Sequence, residues 1–445
     1  MRDLIITLIV FGSLPFIFKS PVTGVLMWVW ISVMNPHSQT WGFASSFPFA
    51  FIIAIATLVS LVLSTQPKNL PLTNVTVTLF GLVLWMNLTL PFSLFYGSAL
   101  IQWEKVMKIM LMTFVCLAVV KSRRDVQRLI WILAISLGYY GVKGGIFTLR
   151  SGASDKVWGP EGTFIAGNNE IALALVMVIP LMYYLHQDAS NRWVRRGLMG
   201  SMLLSALASL GSYSRGAFLA IAAMSLFMWL KSRKKMTVGF LLILTAPILL
   251  AFMPEQWNNR MNTINDYQSD GSAQGRINAW YMAYNLARDR FFGGGFEIYN
   301  SPTFATYAPN PLDVHAAHSN YFQILGEHGF VGLGLYLLLG ILTWRCATWI
   351  IRNTRQHESL HWAAALSRMI QTSLIGFFVG GAFLSLAYFD VPYYLMASLV
   401  VTRVIVEQSL AQIAHAAPVD AAPVDLAPIN TADGKHAVVT QLSKG

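Results

Sequence analysis

NNEIALALVMVIPLMYYLHQ, residues 168–187, carries Glu170 at its start and then no Asp, Glu, Lys or Arg to its end. A helix needs about 20 mostly apolar residues to cross the hydrocarbon layer of a bilayer, and this stretch supplies them. Arg192, Arg195 and Arg196 follow at once, and a second apolar run begins near 194. The same alternation recurs along the chain. Runs of suitable length fall near 47–65, 73–96, 103–120, 126–147, 194–212, 215–231, 236–253, 322–351, 366–387 and 391–409. The stretch 4–35 is interrupted by Pro15 and Lys19-Ser20-Pro21, and reads as two short spans or one broken span, retained rather than cleaved. The expected fold is all-α, a polytopic membrane helix bundle of about twelve spans.

Composition agrees. Of 445 residues, 55% are apolar and 11% charged, against about 25% charged in soluble domains. The net charge of +11 could suggest nucleic acid, but the basic residues sit in short clusters between apolar runs, as in cytoplasmic membrane loops. Nucleic acid is therefore not an expected partner; membrane lipids are. Lys121/Arg123/Arg124/Arg128, Arg192/Arg195/Arg196, Lys231/Arg233/Lys234/Lys235 and Arg345/Arg352/Arg355 are each separated from the next by two spans, so all four can face the cytoplasm. That puts 149–166, 211–214, 254–320 and 388–391 outside. The expected division is a transmembrane bundle over 1–253, a large periplasmic loop over 254–320, further membrane helices over 321–410 and a disordered cytoplasmic tail over 411–445. The tail repeats AAPVD in tandem and lacks aromatic residues. Cys116 and Cys346 lie in apolar runs, so neither a disulfide nor a zinc site is expected.

The loop 254–320 is about 65 residues long, a length at which loops are functional or disordered. Trp257, Trp280, Tyr281, Tyr284, Phe291, Phe292 and Phe296 make it too aromatic for disorder, and a helix is expected over roughly 274–289. Three places in and near it could carry chemistry. In VHAAHSNYFQILGEHGFVGL, residues 314–333, His318 precedes a membrane helix. An imidazole there either takes a proton from an alcohol or merely caps the helix. His315 and His328 compete with it. Arg215, in GSYSRG, opens an apolar helix; it either binds a phosphate at that helix terminus or snorkels to lipid headgroups. Arg276, Arg288 and Arg290 flank a helix that ends in Phe291-Phe292-Gly293-Gly294-Gly295, a turn whose backbone could approach a ligand. Guanidiniums converging on one site suit a diphosphate, although a solvated basic face explains them equally. Lys105, Lys108, Lys143 and Asn168-Asn169-Glu170 are weaker candidates for a headgroup pocket. No P-loop, nucleotide fingerprint, carboxylate pair or acidic metal motif is present, so neither ATP nor a metal or other cofactor is expected.

Ser214-Arg215-Gly216, Gly275-Arg276 with Trp280, Gly293 to Gly295 and His318-Ser319-Asn320-Tyr321, in that order over roughly 160–340, resemble the bacterial O-antigen ligase family, with its O-antigen polymerases and protein O-oligosaccharyltransferases. In that family Asn commonly follows the histidine directly; here Ser319 intervenes and Asn320 comes next. Gly159 to Gly162 and Asn168 to Glu170 also resemble O-glycosylation ligases, which widens the range of acceptors. The resemblance implies a GT-C-like fold in the bacterial inner membrane with its active site facing the periplasm. It implies transfer of a glycan from an undecaprenyl-diphosphate-linked donor to a lipid A-core sugar hydroxyl, without metal or ATP and with inversion. His318 would be the general base, and Arg215, Arg276 and Arg288 would bind the diphosphate, with Arg290 in reserve. A polymerase or protein O-oligosaccharyltransferase is the alternative. A transporter fits less well, because its ionisable groups belong near the midplane of repeated halves, and here they gather at one face without an internal repeat.

Overall fold

Long apolar runs have no backbone partner in lipid except within themselves, so they wind into helices. A computed structural model describes residues 1–66, 68–231 and 271–416, with isolated positions between 235 and 255. Its helices are α1 (Arg2–Lys19), α2 (Pro21–Met34), α3 (Phe49–Leu63), α4 (Asn74–Thr89), α5 (Tyr96–Val119), α6 (Arg123–Arg150), α7 (Asn168–Asp188), α8 (Arg192–Leu210) and α9 (Arg215–Lys231). They continue as α10 (Gly271–Asp289), α11 (Ser301–Tyr307), α12 (Asn320–Asn353), α13 (His361–Gly380) and α14 (Asp390–Ala416). No strand occurs among the described residues. Met1–Val406 form one compact unit and Glu407–Gly445 a second. The expected span at 236–253, the start of the long loop with Trp257 and Arg260, and nearly all of the tail lie outside the described residues.

The chain is a multi-pass membrane protein. Among the described residues six helical segments, in α4, α6, α7, α12, α13 and α14, are long and apolar enough to cross a bilayer; α2 and α3 are apolar but shorter. That is fewer than the dozen expected. The other runs are broken or carry charge: the 4–35 stretch divides at Ser20, α5 holds Glu104, Lys105 and Lys108, and α8 opens on three arginines. α7 explains why its sequence is apolar all round, since every residue from Ile171 to Val178 is buried. Ser373 Oγ donates to Met177 O (2.7 Å) and Ser209 Oγ to Ala172 O (3.3 Å), tying α13 and α8 to it.

Two ends can be told apart. At one, Arg123 pairs with Asp188 (3.1 Å) and lies 5.1 Å from the Trp362 ring, and Lys121 Nζ donates to Asn69 O. This joins the starts of α6 and α13 to the end of α7, and Arg192, Arg195 and Arg196 open α8 just after α7 ends. At the other, Asn168 Nδ2 donates to Ser212 O (2.7 Å), Val157 N to Gly211 O (3.1 Å) and Asn320 N to Gly381 O (2.7 Å). The candidate residues belong to this second end.

α12 is broken. Gly329 has φ 67° and ψ −172°, far from helical values, so the carbonyls just before it lose their helical donors. Each unsatisfied group in a membrane interior costs several kcal/mol. Gly294 N donates to Gly326 O (2.9 Å), Gly295 N to Glu327 O (2.9 Å) and Trp85 Nε1 to His328 O (2.8 Å). The Gly293–Gly295 turn therefore does approach something closely, but it is the opened helix rather than a ligand. A Cβ on Gly293 (φ +71°) would lie 2.7 Å from Gly329 N, and one on Gly295 (φ +80°) 2.0 Å from Ser93 Oγ. Only glycine fits either position.

Candidate active site

α10 forms where the sequence placed it, and its inner face shapes the segment that carries His318. Asn278 Nδ2 donates to Asn310 O (2.8 Å) and Asp313 O (2.9 Å), and its Oδ1 accepts from Asn310 N (2.9 Å). Trp280 Nε1 donates to Ala317 O (2.7 Å), and its ring stacks on Phe322 at 5.0 Å. Gly275 lies against the His315 ring, where a Cβ would come within 2.5 Å of Nδ1. Tied at these points, the chain reaches His318 in a left-handed conformation, φ +42°. A non-glycine residue held there costs of order 1–3 kcal/mol, and such strain concentrates at functional sites.

The His318 imidazole is largely buried, and its Nδ1 has no hydrogen-bond partner among the described residues. Burial, then the Arg276 guanidinium, then His315 push its pKa down from 6.5 to about 4. Arg276 is thus within Coulombic reach of His318, and it also reaches the Glu170 carboxylate at the start of α7. Asn320 is buried two residues on. Its Oδ1 accepts from Leu386 N (2.6 Å), which fixes the 381–389 loop against the His318 segment. Asn320 is therefore occupied in holding backbone.

Arg215 opens α9 after a turn in which Ser214 Oγ accepts from Ala217 N (3.1 Å) and Tyr213 has φ +61°. Two bridges connect this turn to the His318 neighbourhood. Asn168, two residues from Glu170, holds Ser212 O; and a Cβ on Gly216 would lie 3.3 Å from Phe383 Cβ in the loop that Asn320 grips. Arg215, Arg276 and His318 thus share one end of the bundle, Arg276 beside His318 and Arg215 across these two contacts.

Arg288 does not join them. It lies twelve residues after Arg276 on the same helix, about 18 Å along the axis at 1.5 Å per residue, exposed and 5.8 Å from the Tyr284 ring. Arg290 is occupied in structure: Nη2 donates to Phe92 O (2.7 Å) and Nε to Gly293 O (3.3 Å), bracing the glycine turn. His328 is buried, with Nδ1 2.8 Å from Thr89 Oγ1 and Nε2 2.9 Å from Tyr388 Oη. Tyr388 Oη donates to Glu327 and Thr89 Oγ1 donates to Met86 O (3.0 Å), so each hydroxyl beside the ring also holds a second partner. Both ring nitrogens are then engaged, leaving His328 none for a substrate.

Sequence reasoning underrated Glu170, which carries the charge facing Arg276, and missed the Glu327–Tyr388–His328–Thr89 network. The Asn168-Asn169-Glu170 cluster was a visible signal for the first. Nothing in spacing could have found the second, whose members come from three distant segments.

Residues 1–190 match a family of unknown function, and no curated protein matches the chain. Residues 200–337, which contain Arg215, Arg276, Arg288 and His318, match the O-antigen ligase family. Members of that family are glycosyltransferase-like enzymes acting on lipid-linked glycans. Across its arginine- and histidine-bearing end, this multi-pass membrane protein thus carries an O-antigen ligase domain.

Proposed function

We propose that the chain is an O-antigen ligase, moving a polysaccharide from undecaprenyl diphosphate to a sugar hydroxyl of the lipid A core at the periplasmic face of the inner membrane. On this reading the helices too short or too charged to qualify by composition also traverse the membrane, for about twelve spans in all. The observation that supports it most is Arg276 beside an uncharged, strained His318, at the end of the bundle away from Arg123 and Asp188.

The acceptor hydroxyl oxygen attacks the anomeric carbon of the first donor sugar while His318 takes its proton. The bond from that carbon to the diphosphate oxygen breaks, and its electron pair leaves with undecaprenyl diphosphate. A single displacement inverts the anomeric centre. Arg276 and Arg215 hold the diphosphate and stabilise the charge that grows on it. Arg288, out of reach of that centre, meets a more distant part of the donor or acceptor.

A base with a pKa of about 4 is weak for an alcohol at neutral pH. Donor binding corrects this. A diphosphate on Arg276 offsets the positive charge that disfavours the imidazolium, so the imidazole gains proton affinity when there is a proton to take.

The test uses purified protein with undecaprenyl-diphosphate-linked glycan and lipid A-core acceptor. His318→Ala should abolish transfer while unfolding at the wild-type temperature. Undiminished transfer by that variant would refute the assignment. In cells, loss of a ligase leaves long polymer on the carrier, whereas loss of a polymerase leaves single repeats. Glycan on protein in place of lipid A would identify a protein O-oligosaccharyltransferase.

A further inference from the structure

α5 separates two cavities, neither lined by Arg215, Arg276 or His318. One, of about 500 Å³, opens between α2, α5, the Gly162–Ile165 turn and the start of α14, and is lined by Ser32, Asn35, Gln102, Lys105, Lys108 and Asp390. The other, of about 970 Å³, is an apolar groove on the neighbouring face of α5, lined by Val77, Phe80, Met107, Leu111 and Phe114 among others. Lys108 borders both. The division follows from helical spacing: 102, 105 and 109 face one way, and 103, 107, 111 and 114 face the other.

The charges at the polar cavity are unevenly committed. Glu104 pairs with Lys108 (2.5 Å), and Asp390, only 2% exposed, accepts from Ser32 Oγ. Lys105 has no hydrogen bond or ion pair among the described residues. An uncommitted ammonium flanked by amides and hydroxyls suits an acidic oxygen group. An apolar groove starting at the next lysine suits a hydrocarbon chain attached to that group.

We propose that these two cavities form one binding site for an anionic lipid, its phosphate on Lys105 with support from Lys108, and an acyl chain in the groove along α5. The site uses none of the residues assigned to transfer and does not depend on that reading. A lysine that merely snorkels would accept any headgroup oxygen, whereas this arrangement discriminates by charge and requires the chain.

Full-length protein in dodecyl maltoside micelles is titrated with dioleoylphosphatidylglycerol, dioleoylphosphatidylcholine or glycerol phosphate, and retention is read by native mass spectrometry. The wild type should hold phosphatidylglycerol about tenfold more tightly than phosphatidylcholine, the order of one charge-assisted contact. Lys105→Gln should erase that preference and Lys105→Arg keep it. Lys19→Gln, at the end of α1 outside both cavities, should leave it unchanged. Leu111→Trp, which fills the groove, should weaken retention of phosphatidylglycerol. Equal retention of the two lipids, or a preference that survives Lys105→Gln, would overturn the proposal. Glycerol phosphate binding as tightly as the lipid would reduce the site to a bare anion pocket and also overturn it.

Discussion

Replacing Arg276 with Gln should raise the pKa of His318 while slowing transfer, and the two effects can be separated. With a pKa of about 4, roughly one imidazole in a thousand is protonated at pH 7, against about a quarter at the ordinary value of 6.5. The acid limb of kcat/KM, which reports the free enzyme, should therefore lie near pH 4. Burial is the largest cause of the depression and Arg276 the second, so removing the guanidinium should move that limb up without reaching 6.5. The same substitution removes a contact to the leaving diphosphate, a loss of about 3–4 kcal/mol or 10²–10³-fold in kcat. Donor binding should act on the base like Arg276→Gln, because the diphosphate cancels the same charge. The limb in kcat, which reports the donor-bound enzyme, should accordingly lie above the limb in kcat/KM for the wild type and near it for the variant. Initial rates in detergent from pH 4 to 8, with recovery at pH 7 to exclude denaturation, measure all four limbs. A wild-type kcat/KM limb at 6.5, or a limb that moves down in Arg276→Gln, would refute the electrostatic account.

Three further outcomes follow from the geometry. Arg276→Ala should cost at least tenfold more in kcat than Arg288→Ala, because the latter lies about 18 Å along α10; equal losses in a donor-saturated assay would show that both touch the diphosphate. Gly329→Ala should lower stability by 2 kcal/mol or more on the order-of-magnitude scale of backbone strain, since its Cβ would lie 2.5 Å from Phe291 O at φ +67°; an unchanged midpoint of thermal unfolding in detergent would count against the helix break. His328→Ala should lower that midpoint more than His318→Ala, because it empties a buried site packed 4.6 Å from the Phe296 ring and strands Thr89 and Tyr388, a loss of about 2–5 kcal/mol.

How much of this was legible in the sequence varied with the range of the interaction. Helices such as α7 and α10 depend on runs of neighbouring residues, so apolar composition located α7, and the aromatic content of the long loop led to the helix expected over 274–289. The break in α12 depends on partners about 30 to 240 residues away, and EHGFVGLG carries no local sign that Gly329 rather than Gly332 or Gly334 opens the helix. The glycine turn was visible as a place of close approach, but its target could be seen only once α4, α12 and the loop were assembled. The spacing of Arg288 from Arg276 is different in kind, because it could be worked out from the sequence. A helix over 274–289 separates Arg276 from Arg288 by twelve residues, and the rise per residue converts that to about 18 Å. Two guanidiniums that far apart along a helix can share one diphosphate only if both side chains reach toward each other along the axis. The same arithmetic favours Arg276 with His318, which come from different elements and can meet without a helix axis holding them apart.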